Sequence, residues 1–335
     1  MGAPDWGNRG TPDDHPTQRT RAHRQALGSA NHVRGRRSSE RDDHRASLSM
    51  DFAFTDEQEA LRATARSFLA EHAAPEQVRK AMGSELGYDP ELWKQIGTEL
   101  GWTSILIPEE YGGLELGPVE LVALMEVMGE SLLPAPYFSS ICLGTNALLL
   151  GATEPQKKEY LRAIGDGALL TTLALTEASG SWEASAIQTT VRKAGGEYVI
   201  HGKKHFVPDG HCADLLIIAA RADGSVGEEG ISLFLVPATT PGISRRQLPT
   251  LDATRRQAEI ELSQVRVPAS SLMASEGAAW PILRKTLDRA LVALAAEQVG
   301  GAQRCLDLSV AYAKERIQFG RPIGSFQAIK HICAD

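Results

Sequence analysis

A hydrophobic period that changes twice along the chain most restricts its fold. Over residues 52–168 apolar side chains recur at helical spacing, from about Thr171 the recurrence shortens towards two, and after Pro268 helical spacing returns. Behind a capping box at Thr55 and Gln58, Leu61, Ala65, Phe68 and Leu69 form one stripe. Asp89-Pro90 caps and starts a second helix, with Leu92, Trp93, Ile96 and Leu100 before Gly101. Further helices are predicted over 118–129, near Asn146, and from Thr153, boxed with Gln156, to Ile164. Residues 198–201, 215–220, 231–236 and 258–262 read as antiparallel strands between Gly, Pro and charged turns. Ile282, Leu283, Leu287, Leu291 and Leu294 then align on a helix ending at Gly300, followed by helices over 306–315 and from Ser325. The α, β, α order predicts a multidomain α+β protein: an N-terminal α-helical domain over 52–168, a middle β-barrel or sandwich domain over 170–270, and a truncated C-terminal α-helical bundle over 276–335. A doubly wound nucleotide fold is disfavoured, since no G-x-G-x-x-G follows a strand and G-x-x-x-x-G-K is absent.

Charge and cysteine usage narrow the class. Of the net charge of −7, residues 1–49 hold nine Arg and no Lys against six acids, so they are +3 and the rest is −10. An acidic body gives no footprint for nucleic acid. Residues 1–49 have almost no large apolar side chain and are predicted to be a disordered tail, or an untranslated one if Met50 is the true start. Asp13, Asp14, Glu40, Asp42 and Asp43 speak against a mitochondrial presequence. Cys142, Cys212, Cys305 and Cys333 lie far apart without a C-x-x-C pair, which predicts buried free thiols and a cytoplasmic location. No apolar run reaches the ~18 residues of a membrane span, and the longest, 141–150, contains Thr145 and Asn146 and reads as a buried helix. His205 and His211, with only Asp209 and Cys212 nearby, match no ligand spacing, so they read as solvated turn residues and no metal is expected.

Several short segments carry a shared signal. The stretch over 312–335, YAKERIQFGRPIGSFQAIKHICAD, reads as helix, turn and helix, with Phe326, Ile329, Ile332 and Cys333 on one face. Its R-x-Q-F-G-x-P-I-x-x-F-Q-A-x-K-H-x-x-A-D pattern, from Arg316 to Asp335, resembles the flavin-contacting corner of the acyl-CoA dehydrogenase family. D-F-A-F-T-D-E-Q at 51–58, P-E-E-Y-G-G at 108–113 and the helix end E-V-M-G at 126–129 resemble family segments in the same order. Thr176-Glu177-Ala178-Ser179-Gly180-Ser181 is similar to the T-E-P-G-A-G-S-D loop that closes over flavin and thioester, where small residues let backbone N–H groups come close. Lys204-His205-Phe206-Val207-Pro208-Asp209 is similar to the segment whose aromatic ring shields one flavin face and whose hydroxyl reaches the N5 edge.

The resemblance spans residues 51–335 and implies FAD-dependent α,β-dehydrogenation of an acyl-CoA thioester. It implies FAD contacts from Thr176, Ser181, Phe206, Val207, Arg316, Phe319 and Gln327. Arg316 and its followers would bind the FAD pyrophosphate of a neighbouring subunit, as suits a guanidinium fork, so a dimer or tetramer of identical or paralogous subunits is expected. Electron-transferring flavoprotein is the implied acceptor. The chain departs from the pattern at Ala178-Ser179-Gly180, at Trp182 in place of a small polar residue, and at Pro208, which has no hydroxyl and no N–H. The family's base is a Glu on a late helix, beyond Asp335 here; in some members it stands at the position of Ala290, with Asp288 about 200° round the helix. No base is assigned. A non-catalytic flavin-supporting subunit of a heteromeric dehydrogenase and a flavin-dependent oxidase are the alternatives. The chain alone is expected to be inactive, to bind FAD poorly, and to leave the face of Phe326, Ile329 and Ile332 uncovered.

Overall fold

Helices α1 (Asp56–His72), α2 (Pro75–Met82), α3 (Pro90–Lys94), α4 (Pro118–Ser131), α5 (Asn146–Gly151) and α6 (Glu154–Gly165) precede the strands. The structure, a computed structural model, describes residues 53–335, so the expectations for residues 1–49 lie outside it. Local chemistry sets the helix starts. The Asp89 carboxylate accepts N–H bonds from Glu91 and Leu92, and the Thr153 N–H donates to Gln156 Oε1 at 2.9 Å, so the expected cap and box both form. A π-helical turn, Phe138–Thr145, leads into α5. There Thr145 and Asn146 donate to the carbonyls of Ser140 and Cys142, which lets polar side chains sit inside the buried run 141–150. The 108–113 turn closes tightly because Gly113 passes against the Ile107 carbonyl, where any Cβ would overlap it.

Strands β1 (Thr171–Ala174), β2 (Thr190–Ala194), β3 (Glu197–Pro208), β4 (Leu215–Ala222), β5 (Ile231–Pro237), β6 (Ile243–Gln247), β7 (Gln257–Pro268) and β8 (Leu272–Met273) form one sheet. Its order is β6-β7-β3-β2-β4-β5-β8, with β1 also against β4. Most pairs are antiparallel as expected, but β1 and β2 both lie parallel to β4. The chain reaches β4 from β1 only after the β2–β3 hairpin, a connection long enough for it to return in the same direction. Both faces of β4 are covered, so it is buried from Leu215 to Arg221. Leu215, Ile217 and Ala219 join a core shared with the helices, whereas Leu216, Ile218 and Ala220 join a second core with Ile200, Phe234 and Ile260.

Helix α7 (Trp280–Glu315) corrects two expectations. It runs unbroken for 36 residues, about 54 Å at 1.5 Å per residue, instead of stopping at Gly300. Gly129 is likewise not a helix end, since α4 continues to Ser131. Both glycines are contact notches: a Cβ on Gly300 would overlap the Glu126 carbonyl, and one on Gly129 the Glu297 carbonyl. Their missing side chains let α4 and α7 approach backbone to backbone. Short strands β9 (Ile317–Gln318) and β10 (Arg321–Pro322) and helix α8 (Gln327–Ala334) follow. Ile332 is exposed as expected, but Phe326 and Ile329 are half-buried. Phe319 meets the Phe326 ring edge-on at 6.1 Å, and the Arg321 guanidinium stacks on it at 4.2 Å. The free cysteines also differ from expectation: Cys142 is buried, Cys212 and Cys333 are half-buried, and Cys305 lies on the exposed side of α7. Among the described residues no helix is long and apolar enough to cross a membrane.

Candidate functional site

The end of β1, the bulged end of β3, the Phe138–Thr145 turn and α7 enclose a cavity of about 430 Å³. Leu173 and Leu175 line it from β1 and its exit, Phe138 and Leu143 from the turn, and Leu287, Ala290, Leu291 and Leu294 from one face of α7. Thr176, Arg255 and Gln257 are its main polar groups. The Arg255 charge is already held, with Nη2 2.6 and 2.7 Å from the two Glu297 carboxylate oxygens and the guanidinium stacked on Phe138 at 4.6 Å.

A break in β3 aims Phe206 into this space. The β3–β7 register shifts between Lys204 and Val207, and Phe206 takes φ +56°, a left-handed conformation costly for a bulky residue. Its ring stays 42% exposed and lines the cavity. Two hydrogen bonds lock the bulge to the Thr176 loop: the His205 N–H donates to the Thr176 carbonyl at 2.9 Å, and Thr176 Oγ1 donates to the His205 carbonyl at 2.5 Å. A buried ion pair sits beneath. Lys204 Nζ, fully enclosed, lies 2.8 Å from Glu177 Oε1 and donates to the Leu175 carbonyl at 3.1 Å. Glu177 also accepts N–H bonds from Gln188 and Thr189, both at 2.9 Å. Burial pushes the Lys204 ammonium down to about 8 against the pull of Glu177. Burial works against Glu177 too, yet Lys204 and the two N–H bonds hold its carboxyl below the ordinary range. Arg221 pins the far side of the loop through the carbonyls of Ala184 and Ile187.

The expected site residues fall into three places. Thr176 and Phe206 meet at the cavity, as do Gly180 and Trp182. Ser181 instead faces a second, more open groove with Glu177, Ala178, Ser179, Lys203 and His205, on the other side of the loop from Thr176, Gly180 and Trp182. Val207 is fully buried in the second core and does not line the cavity, since the bulge returns the strand to its inward register there. Arg316, Phe319 and Gln327 cluster in sequence at the end of α7, all exposed, and none lines the cavity. Ala290 faces the cavity and Asp288 is exposed, as the helical angle predicts. Among the described residues lining the cavity there is no carboxylate.

Sequence reasoning missed Arg255, Gln257 and the α7 leucines as wall residues, and Glu177 with Lys204 as the lock. The leucines were visible as a stripe whose partner was unknown; the charged pair stands in two motifs 27 residues apart. His211 also needs correction. It is not a solvated turn residue: Nε2 lies 2.9 Å from the Leu86 carbonyl and Nδ1 is enclosed.

Family models for the N-terminal, middle and C-terminal domains of acyl-CoA dehydrogenase match residues 55–168, 172–265 and 277–335. The chain belongs to the acyl-CoA dehydrogenase family. Acyl-CoA dehydrogenase IpdE2 of Mycolicibacterium smegmatis is 34% identical over 84% of this chain and 72% of its own length. Butyryl-CoA dehydrogenase from Megasphaera elsdenii superposes with a TM-score of 0.79 at 30% identity, covering 85% of this chain and 76% of that one. The ChsE4-ChsE5 complex from Mycobacterium tuberculosis contains a chain with a TM-score of 0.76 at 28% identity, covering 85% and 74%. In this family member the matched regions meet around the Phe206 cavity.

Proposed function

We propose that the protein carries out FAD-dependent α,β-dehydrogenation of an acyl-CoA thioester. The observation that carries this reading is the strained bulge that presents Phe206 to a cavity walled by β1 and α7. The residues present fit a flavin: a mostly apolar cavity with an exposed aromatic face and a few convergent polar groups suits a flat ring and an acyl chain. Bound FAD supplies the acceptor for the hydride leaving the β carbon. Phe206 and Trp182 offer ring faces, and the Thr176 side chain, fixed by its bond to the His205 carbonyl, offers oxygen lone pairs. Val207 anchors the bulge from below. Leu287, Leu291 and Leu294 would hold the acyl chain and exclude water, which strengthens every polar contact in the site.

Ser181, Arg316, Phe319 and Gln327 would reach FAD from outside the cavity. The exposed Arg316 guanidinium suits the pyrophosphate of a second copy, so the working unit is a dimer or tetramer of identical or paralogous subunits. Electron-transferring flavoprotein is the proposed acceptor, and the free thiols support a reducing, cytoplasmic setting. One observation favours a second reading, a flavin-supporting subunit of a heteromeric enzyme: Ala290 and its cavity neighbours include no carboxylate to take the α proton. Anaerobic addition of an acyl-CoA to the flavin-loaded dimer or tetramer, rather than to the chain alone, separates the two. Bleaching of the flavin colour is expected; colour that persists with every acyl-CoA assigns the supporting role.

A further inference from the structure

A second cluster of chemistry lies on the turn after β3, independent of the flavin reading. One ligand atom from each of Asp209, His211 and Cys212 lies within 4.8 Å of the other two. The turn itself draws them together. Asp209 takes φ +51°, and both the N–H and the thiol of Cys212 reach the Asp209 carbonyl, at 3.1 and 3.4 Å. Arg245 ties the same turn down by donating to the carbonyls of Gly210 and Ala213.

His211 supplies the observation that points to a ligand. Its Nε2 is 2.9 Å from the Leu86 carbonyl, which can only accept, so Nε2 carries the ring proton. Nδ1 is then a bare lone pair, enclosed from solvent and without a hydrogen-bond partner. Such orphaned acceptors are rare in folded proteins and call for an explanation. A histidine that gives one N–H to a backbone carbonyl and keeps its other nitrogen unpaired, beside a carboxylate and a thiol, has the outer-shell pattern of a metal ligand. Asp209 is oriented in the same way, because the Ser139 hydroxyl donates to its Oδ2 at 2.7 Å.

We propose that a carboxylate oxygen of Asp209, Nδ1 of His211 and Sγ of Cys212 bind a divalent cation of borderline softness, of the zinc class. One oxygen, one imidazole nitrogen and one thiolate sulfur form a donor set of that class, with the fourth position left to water. On binding, the Cys212 S–H bond breaks, the sulfur–metal bond forms and the proton passes to solvent; thiolate and carboxylate then balance the ion's two charges. The ion would join the Leu86 loop, the Ser139 turn and the end of β3 directly behind Pro208 and Phe138, two residues of the cavity wall.

The test uses the full chain stripped with a chelator and titrated with Co²⁺ as a spectroscopic probe. One equivalent is expected to bind with a near-ultraviolet thiolate-to-cobalt charge-transfer band, and Zn²⁺ to displace it. Cys212→Ser should abolish the band and Cys305→Ser leave it intact. His211→Gln should weaken binding at least about tenfold. Should Cys212→Ser fail to fold by circular dichroism, His211→Gln and the Zn²⁺-dependent rise in wild-type Tm decide instead. No band in the wild type, a band that survives Cys212→Ser, or equal affinity in His211→Gln overturns the proposal.

Discussion

The two halves of α7 have similar apolar content and opposite surroundings. Between Trp280 and Gly300 one stripe, including Leu283, Ala290 and Ala293, is buried, and its flank walls the cavity. Beyond Gly300 only Ala313 is buried, while Leu308 is 53% and Tyr312 58% exposed. The helix is continuous, so propensity does not separate the halves; packing does. The first half is held by α4 through the Gly129–Gly300 notch and by the core behind β1. The second half leads to Arg316, Phe319 and Gln327, which project from the surface. The lesson is that the chain builds the cavity wall from its own interior, whereas the residues proposed to reach the FAD pyrophosphate stand on a surface and would act only towards something brought to them.

The strongest way to break this contrast is at the lock beneath the cavity. Glu177→Gln leaves Lys204 buried without its counter-charge and should cost about 3–5 kcal/mol in urea unfolding. A cost below about 1 kcal/mol would mean the pair does not hold the loop. Next, one substitution type tried on each half compares them directly. Leu283→Ala, at a fully buried position, should cost about 2–5 kcal/mol, whereas Leu308→Ala should stay within about 0.5 kcal/mol. Equal costs would contradict the description of α7. Gly300→Ala puts a methyl group into the Glu126 carbonyl and should cost about 1–3 kcal/mol, while Gly301→Ala, with only the Gly129 carbonyl at 3.7 Å, should be neutral or stabilising.

The smallest expected effect depends on pH. Burial pushes the Asp209 carboxyl up to about 6 from an ordinary value of 3.8. Between those values the folded protein keeps a proton that the unfolded chain has lost. This group's contribution is therefore fully present below the lower value and is lost as the pH rises through about 6. In metal-free protein Asp209→Asn should be more stable than wild type above that range by about 1–2 kcal/mol, with the difference fading in acid. Unfolding at three pH values checks the sign; a variant less stable at neutral pH would show that the carboxylate is better compensated than its burial indicates.

Much of the architecture was legible because it is local. The double change of period named the helical, sheet and helical order, and Asp89 and Thr153 with Gln156 marked helix starts that the structure reproduces. What failed was long-range. Gly129 and Gly300 read as stops because glycine usually ends helices, yet each is explained only by a partner helix far away in sequence. The parallel pairing of β1 and β2 with β4 is a property of connections and leaves no mark on strand composition. The cavity was half legible: Thr176 and Phe206 stood in motifs, but Arg255 reaches it only because Glu297 and Phe138 hold it there, and Val207 turned inward where the bulge restored the register.

The central claim is that the cavity around Phe206 supports removal of one hydrogen from each of two adjacent carbons. It is tested most directly by giving the flavin-loaded dimer or tetramer an acyl-CoA deuterated at the α and β carbons, with a chemical electron acceptor, and weighing the thioester. The account predicts an α,β-unsaturated product that has lost one deuterium from each carbon. A thioester recovered unchanged, or one that has exchanged α deuterium without becoming unsaturated, would contradict it.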